Sequence, residues 1–249
     1  MRERVVFVPM GYLFAATRGI RSIPAISAFL DEVEAHFDVD IPITPEPDGA
    51  TVEIPQAPPP GARPLTIRDS LAGGAHLVTM GLHVPECLIA LDGRDEAGSF
   101  VALGFQPTPA TLRSAGMEAV AAALDRFTAG ADRSCYGITR LLYQGLDETA
   151  LRAIVDDLDR NIDQERRRVY TAWLSNLDHL RERPRIDVPT LYLHSPMDLG
   201  GVKDLFLRIV PHAEVGKLES FPTRMQDTES GREAAQQVIE FIQRQSAPD

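Results

Sequence analysis

Apolar residues recur along this chain in two rhythms. Val5 to Val8 form a short unbroken run ended by Pro9 and Gly11, the pattern of a buried strand entering a turn. Ile26, Phe29, Leu30, Val33 and Phe37 then repeat at the spacing of one helix face, with Ser22-Ile-Pro-Ala offering a cap and an early proline at its start. Phe37 to Ile43 predicts a second strand, so strand, helix and strand follow in the order of a βαβ unit and a parallel sheet. Prolines at 42, 45, 47, 55, 58, 59, 60 and 64 break the alternation, leaving only Ala50 to Pro55 as a short edge strand. That stretch reads either as a rigid surface loop or as the border of a cleft. Periodicity then predicts a helix over 65–82 and a strand over 87–91, ending at Asp92-Gly93.

A different organisation begins near Pro107. Thr108-Pro109 starts a helix whose apolar stripe is Leu112, Val120, Leu124 and Phe127. Asp147 caps a second segment carrying Leu151, Ile154, Val155 and Leu158, and a third carries Tyr170, Trp173, Leu174, Leu177 and Leu180. Strand-helix alternation resumes only at Val188 to Leu193, so residues 107–184 read as a helical insertion into an α/β domain. A helix with Leu205, Ile209 and Val210, a last strand over 213–218 and a closing helix follow. Ser230-Gly-Arg-Glu233 has the form of a capping box, Val238, Phe241 and Ile242 form the apolar face, and 243–249 is expected to fray. The expected organisation is therefore core 1–106, helical lid or cap 107–184, and core 185–249.

Composition narrows the function classes. The 249 residues carry 36 acidic against 25 basic side chains, a net charge of −11, which disfavours a broad electrostatic grip on nucleic acid or anionic membrane. Cys87 and Cys135 are the only cysteines and form no C-x-x-C, a usage compatible with a cytoplasmic setting. No secretory signal region, membrane-spanning run, zinc-spaced Cys/His cluster or phosphate-binding G-x-x-x-x-G-K-[ST] is present, and no cofactor is implied. Nothing in the composition opposes a homo-oligomer.

PTLYLHSPMDLGGVKDLFLRIVPHAEVGKLESFPTRMQDTESGREAAQQVIEFI, over 189–242, resembles the last two strands and final helix of the α/β-hydrolase family, particularly its small lidded and thioesterase-like members. VPECLIALDG resembles the strand before that family's lid, and VVFVPMGY its early strand and oxyanion loop. The resemblance implies a mostly parallel sheet flanked by helices, a helical lid, and a cleft for a small acyl or carbonyl substrate, polyketide-like and free or carrier-linked. It also implies a serine on a strand-to-helix elbow, a histidine base and an orienting acid.

The residues match that pattern unevenly. Arg68-Asp-Ser-Leu-Ala-Gly-Gly brings Ser70 near the nucleophile position, with Arg68 and Ala72 where the motif has glycines. Thr66-Ile-Arg-Asp69 is itself a cap pattern that would instead put Ser70 inside a helix. Asp198 matches the acid after the penultimate strand, and Asp92 is the alternative. Phe221-Pro222 aligns Ser220 with the family's histidine, and no histidine follows His212. His179, in the inserted helices, could reach a cleft from above; His36, His76, His83, His194 and His212 are poorly placed in sequence. Met10 and Gly11 are candidate backbone donors, Tyr12 a candidate hydrogen-bonding phenol, and Arg18 and Arg21 candidate anion contacts. Asp92, Tyr136 and Trp173 complete the expected pocket, beside Cys135. The resulting expectation is an atypical enzyme working by thioester or ester hydrolysis or by non-covalent, cyclisation-type chemistry; its alternative is a noncatalytic binding or partner protein that lost the triad histidine.

Overall fold

The computed structural model describes residues 2–9, 21, 23–42, 63–131, 136–161, 172–173, 175–196 and 198–246. Six strands make one sheet in the order β2-β1-β3-β4-β5-β6: β1 Arg4–Val8, β2 Asp38–Asp40, β3 His76–Met80, β4 Ser99–Leu103, β5 Thr190–His194 and β6 Glu214–Lys217. Every neighbouring pair is parallel. All carboxyl ends therefore emerge at one edge, and the order reverses between β1 and β3, where open α/β sheets place their ligands.

Alternation of side chains sends the four central strands, β1, β3, β4 and β5, into two cores. Val5, Phe7, Val78, Met80, Val101, Leu103, Leu191 and Leu193 pack under α1 (Pro24–His36) and the closing helix α10 (Thr228–Ser246). Val6, Val8, Leu77, Phe100, Ala102 and Tyr192 pack on the other face under α2 (Arg63–Ser70), α3 (Val84–Leu91) and α9 (Val202–Ile209). Burial on both faces explains why these strands are nearly continuous apolar runs. The expected α/β-hydrolase-like class is the observed one. Between β4 and β5 lie α4 (Pro109–Ser114), α5 (Glu118–Ala131), α6 (Tyr136–Leu142), α7 (Glu148–Asn161) and α8 (His179–Glu182).

Three local expectations are corrected. The helix expected over 65–82 is α2, a turn, the strand β3 and a 3₁₀ turn at Gly81–His83. His76 and Thr79 made that strand look amphipathic at helical spacing; both are buried and satisfied at long range, His76 Nδ1 sharing a 2.9 Å hydrogen bond with Ser99 Oγ and Thr79 Oγ1 donating to Val8 O at 3.1 Å. The strand expected over 87–91 belongs to helix α3, which Pro85 starts in its first turn, and the strand before the insertion is β4. Ser230 does not cap α10: the helix begins at Thr228, and Ser230 Oγ donates back to Asp227 O at 2.7 Å. That helix also runs to Ser246, past the expected fraying point. The edge strand expected over 50–55 lies outside the described residues. No helix among the described residues is long and apolar enough to cross a membrane.

His179 marks the seam between the insertion and the core. It is 1% exposed, and neither ring nitrogen has a hydrogen-bond partner among the described residues; Glu182 Oε2 stands 3.8 Å from Nδ1, too far to accept. Burial lowers its pKa to about 4, against the opposing charge of Asp178. The unfolded chain thus binds more protons than the folded one between about pH 4 and 6.5, so stability rises with pH across that window and is fully present above it. Urea melts from pH 4 to 7 are expected to show a gain of about 3 kcal/mol from this group, and His179→Leu is expected to remove that part of the slope.

Candidate functional site

The strand-to-helix turn at the centre of the sheet follows β3. Met80 ends the strand, Gly81 has φ +35°, and the 3₁₀ turn Gly81–His83 leads into α3. A strained turn of this kind at the carboxyl end of a central strand is where an α/β-hydrolase presents its nucleophile. In this chain the residue with positive φ at the turn after β3 is glycine, which tolerates that conformation without penalty and brings no nucleophilic atom.

Directly beyond it, the His83 imidazole Nδ1–H donates to Glu86 Oε1 at 2.6 Å. His83 is 3% exposed and Glu86 fully buried. Glu86 lies in the first turn of α3, where the helix dipole favours negative charge. Taking such a pair out of water costs several kcal/mol per ion, and apolar side chains of equal volume would pack as well. His83 looks poorly placed only while residues 87–91 read as a strand; with α3 a helix, the i, i+3 spacing of His83 and Glu86 around Pro85 is the signal of the pair.

Asp198 follows β5 at the same edge. Its Oδ1 accepts the Phe105 backbone N–H at 3.0 Å, and its Oδ2 accepts the Ser195 backbone N–H at 3.0 Å and the Tyr192 hydroxyl. Burial pushes the carboxyl above its ordinary range, against the pull of these three donors. Burial, and then the neighbouring carboxylate, push the Tyr192 phenol upward as well. Tyr192 stacks on Phe206 at 4.5 Å between centroids, which fixes the hydroxyl. Gly104, at φ +73°, lets the end of β4 close onto this loop: a Cβ there would stand 2.9 Å from the Ser195 Cβ. The Asp198 carboxylate thus joins the carboxyl ends of β4 and β5.

Ser220, where the resemblance expects histidine, lies in the loop after β6. Phe221 anchors that loop by stacking on Phe29 of α1 at 6.1 Å. The insertion reaches the same loop: Gln144 N donates to Thr223 O at 3.2 Å, and Gln226 Nε2 donates to Gln144 O at 2.6 Å. A cavity of about 380 Å³ lies at this contact, lined by Gln144, Gly145, Arg224, Gln226 and Asp227.

The other expected residues do not gather here. Ser70 is the last residue of α2, and its Oγ donates to Thr66 O at 3.1 Å; it is helical, but the helix begins at Arg63 and ends here, so Thr66 does not start it and Ser70 is in its last turn, not its first. Arg4, the first residue of β1, donates to Ser70 O at 2.7 Å, which fixes Ser70 at the amino edge of the sheet. Asp92 caps the end of α3 at that amino edge, its Oδ1 accepting the Arg185 backbone N–H at 2.7 Å. Tyr136 ties α6 to α7, donating to Glu148 Oε2 at 2.9 Å and accepting from Arg140. Trp173 is half-buried in a helical fragment of the insertion. Arg21 is held in ion pairs by Asp31 and Glu34. Met10, Gly11, Tyr12, Arg18 and Cys135 lie outside the described residues, and Cys87 is a buried cysteine of the core.

No protein-family model matches this chain, and no curated protein matches its sequence. Solved structures do match in shape. An enol-lactonase from Burkholderia xenovorans LB400 and a hydrolase from Oleispira antarctica each superpose with a TM-score of 0.62 at 12% identity, over 98% of this chain and 92% of theirs. A bromoperoxidase from Bacillus anthracis superposes with a TM-score of 0.62 at 15% identity, over 98% of this chain and 92% of that one. At these identities the likeness is one of fold, and it agrees with the sheet order and the inserted helices: the chain has an α/β-hydrolase-like fold.

The two hydroxyls at issue sit in opposite surroundings, and urea melts distinguish them. Tyr192→Phe leaves a buried carboxylate short of a donor and is expected to cost about 1–3 kcal/mol, whereas Ser70→Ala, which removes one partly buried bond within α2, is expected to cost less than about 1 kcal/mol.

Proposed function

We propose that this chain is an atypical α/β-hydrolase-fold enzyme that acts on a small carbonyl or acyl compound, polyketide-like and free or carrier-linked, without a covalent serine intermediate. In this reading residues 107–184 form a cap over the carboxyl edge, and the substrate is held between that cap and the two core segments, 1–106 and 185–249. The observation that carries it is the exchange at the central turn: glycine where a nucleophile would stand, with a buried imidazole–carboxylate pair two residues beyond it.

The chemistry follows from that pair. In this scheme Glu86 accepts from Nδ1, and Nε2 of His83 is the nitrogen that serves as the base. Nε2 takes a proton from a carbon next to the substrate carbonyl, or from a water that attacks that carbonyl, and returns it to the product oxygen or leaving group. Glu86 fixes the tautomer and stabilises the imidazolium formed on the way. The scheme assigns the polarising of the carbonyl to the backbone N–H groups of Met10 and Gly11 and to the side chains of Tyr12 and Arg18. Asp198 acts as a positioning residue, since its three hydrogen bonds hold together the loops that shape the cleft.

A second reading, a noncatalytic small-molecule-binding protein, is favoured by the same glycine together with Ser220 at the histidine position. A panel of small thioesters, lactones and 1,3-dicarbonyl compounds separates the two. The enzyme reading expects turnover of at least one class, lowered about 100-fold or more in kcat by His83→Gln and by Glu86→Gln and left intact by Ser70→Ala. Saturable binding without turnover by the wild type would establish the second reading instead.

A further inference from the structure

A second concavity lies at the other end of the sheet. It has a volume of about 590 Å³, within the range of small-molecule sites, and runs between Ser114 at the end of α4, helix α8 with its following residues, and the last turn of α9. Helix α9 leaves the carboxyl edge after β5 and ends toward the amino edge, and the chain after α8 passes through Pro184 to Ile186, which bridges to Arg94 ahead of β4. The cavity is therefore separate from the Gly81 turn.

Its lining is electropositive in a chain of net charge −11. Arg181, Arg183 and Arg208 all border it, and none of the three makes an ion pair among the described residues. Arginines elsewhere, such as Arg4, Arg21, Arg113 and Arg152, are ion-paired. The nearby Asp178 carboxylate is not part of the lining and makes no ion pair with the three arginines; it accepts from the Ser114 hydroxyl and from the Arg181 backbone N–H. Arg183 has φ +50° and ψ +61°, the left-handed region, which an L residue occupies at a cost and which glycine would fill freely. Leu180, Pro184 and Ile209 supply an apolar wall.

We infer that this cavity is a binding site for an organic oxyanion, a phosphomonoester carrying a small apolar group, gripped by Arg181, Arg183 and Arg208. Guanidinium groups match the oxygens of a phosphate in pairs, and the apolar wall takes the ester group. Because α4 belongs to the insertion and α9 to the core, an occupant at this place bridges the two.

Phenyl phosphate is the probe, titrated into the full chain by calorimetry at low salt with phenol as the uncharged control. Saturable one-to-one binding is expected, weakening as salt rises, with phenol at least tenfold weaker. Arg181→Gln and Arg208→Gln should each weaken binding about tenfold. Arg183→Gly should weaken it similarly while leaving the thermal midpoint unchanged or raised, because it removes the guanidinium and relieves the left-handed backbone. That combination separates anion binding from a merely structural duty, such as Arg208 complementing the carboxyl end of α9. Absence of saturation below about 10 mM, or binding that survives all three substitutions, would overturn the assignment.

Discussion

Parallel pairing of all six strands is the constraint on which the rest depends. Once every strand runs the same way, a residue just after a strand is at one edge and a residue just before a strand is at the other. A five-residue strand such as β3 separates the two edges by roughly 16 Å. Gly81, His83, Asp198 and Ser220 follow strands and share the carboxyl edge, whereas Ser70 and Asp92 precede strands and share the amino edge. No side chain of their size crosses that distance. Sheet polarity alone thus decides which expected groups can meet a common substrate.

At the carboxyl edge the fold brings three features together. The Asp198 carboxylate accepts from Phe105, Ser195 and Tyr192, and Tyr192 packs on Phe206, so the ends of β4 and β5 are held firmly. The turn after β3 has its positive φ at a glycine, Gly81. Buried polar character lies just beyond it, in His83 and Glu86, whose burial is hard to account for by packing alone. The electropositive cavity between α4, α8 and α9 stands apart from this site and is argued from different residues.

Much of the fold was legible in the sequence because apolar runs and helical stripes report burial directly. β1, α1 and the β5–α9–β6–α10 series lie close to where periodicity put them, and the insertion was visible as a delay in strand-helix alternation. The stretch from 65 to 103 was not legible, for an identifiable reason. His76 and Thr79 owe their places inside a strand to Ser99 and Val8, partners that no local window contains. Helix α3 is buried on nearly every side, so it lost the polar face that marks a helix and read as a strand. That exchange shifts the apparent strand-to-helix turn by one element, toward Ser70 and away from Gly81 and His83, and makes Asp92 look like a residue at a strand end.

The proposed function requires a carboxyl-edge site without an activated serine. Intact-mass measurement after prolonged exposure to an excess of a fluorophosphonate tests it most directly. The account predicts an unmodified mass, since the described serine nearest the motif lies in α2 at the amino edge with its hydroxyl bonded to Thr66 O. A rapid stoichiometric adduct on any serine, prevented by replacing that serine with alanine, would contradict it.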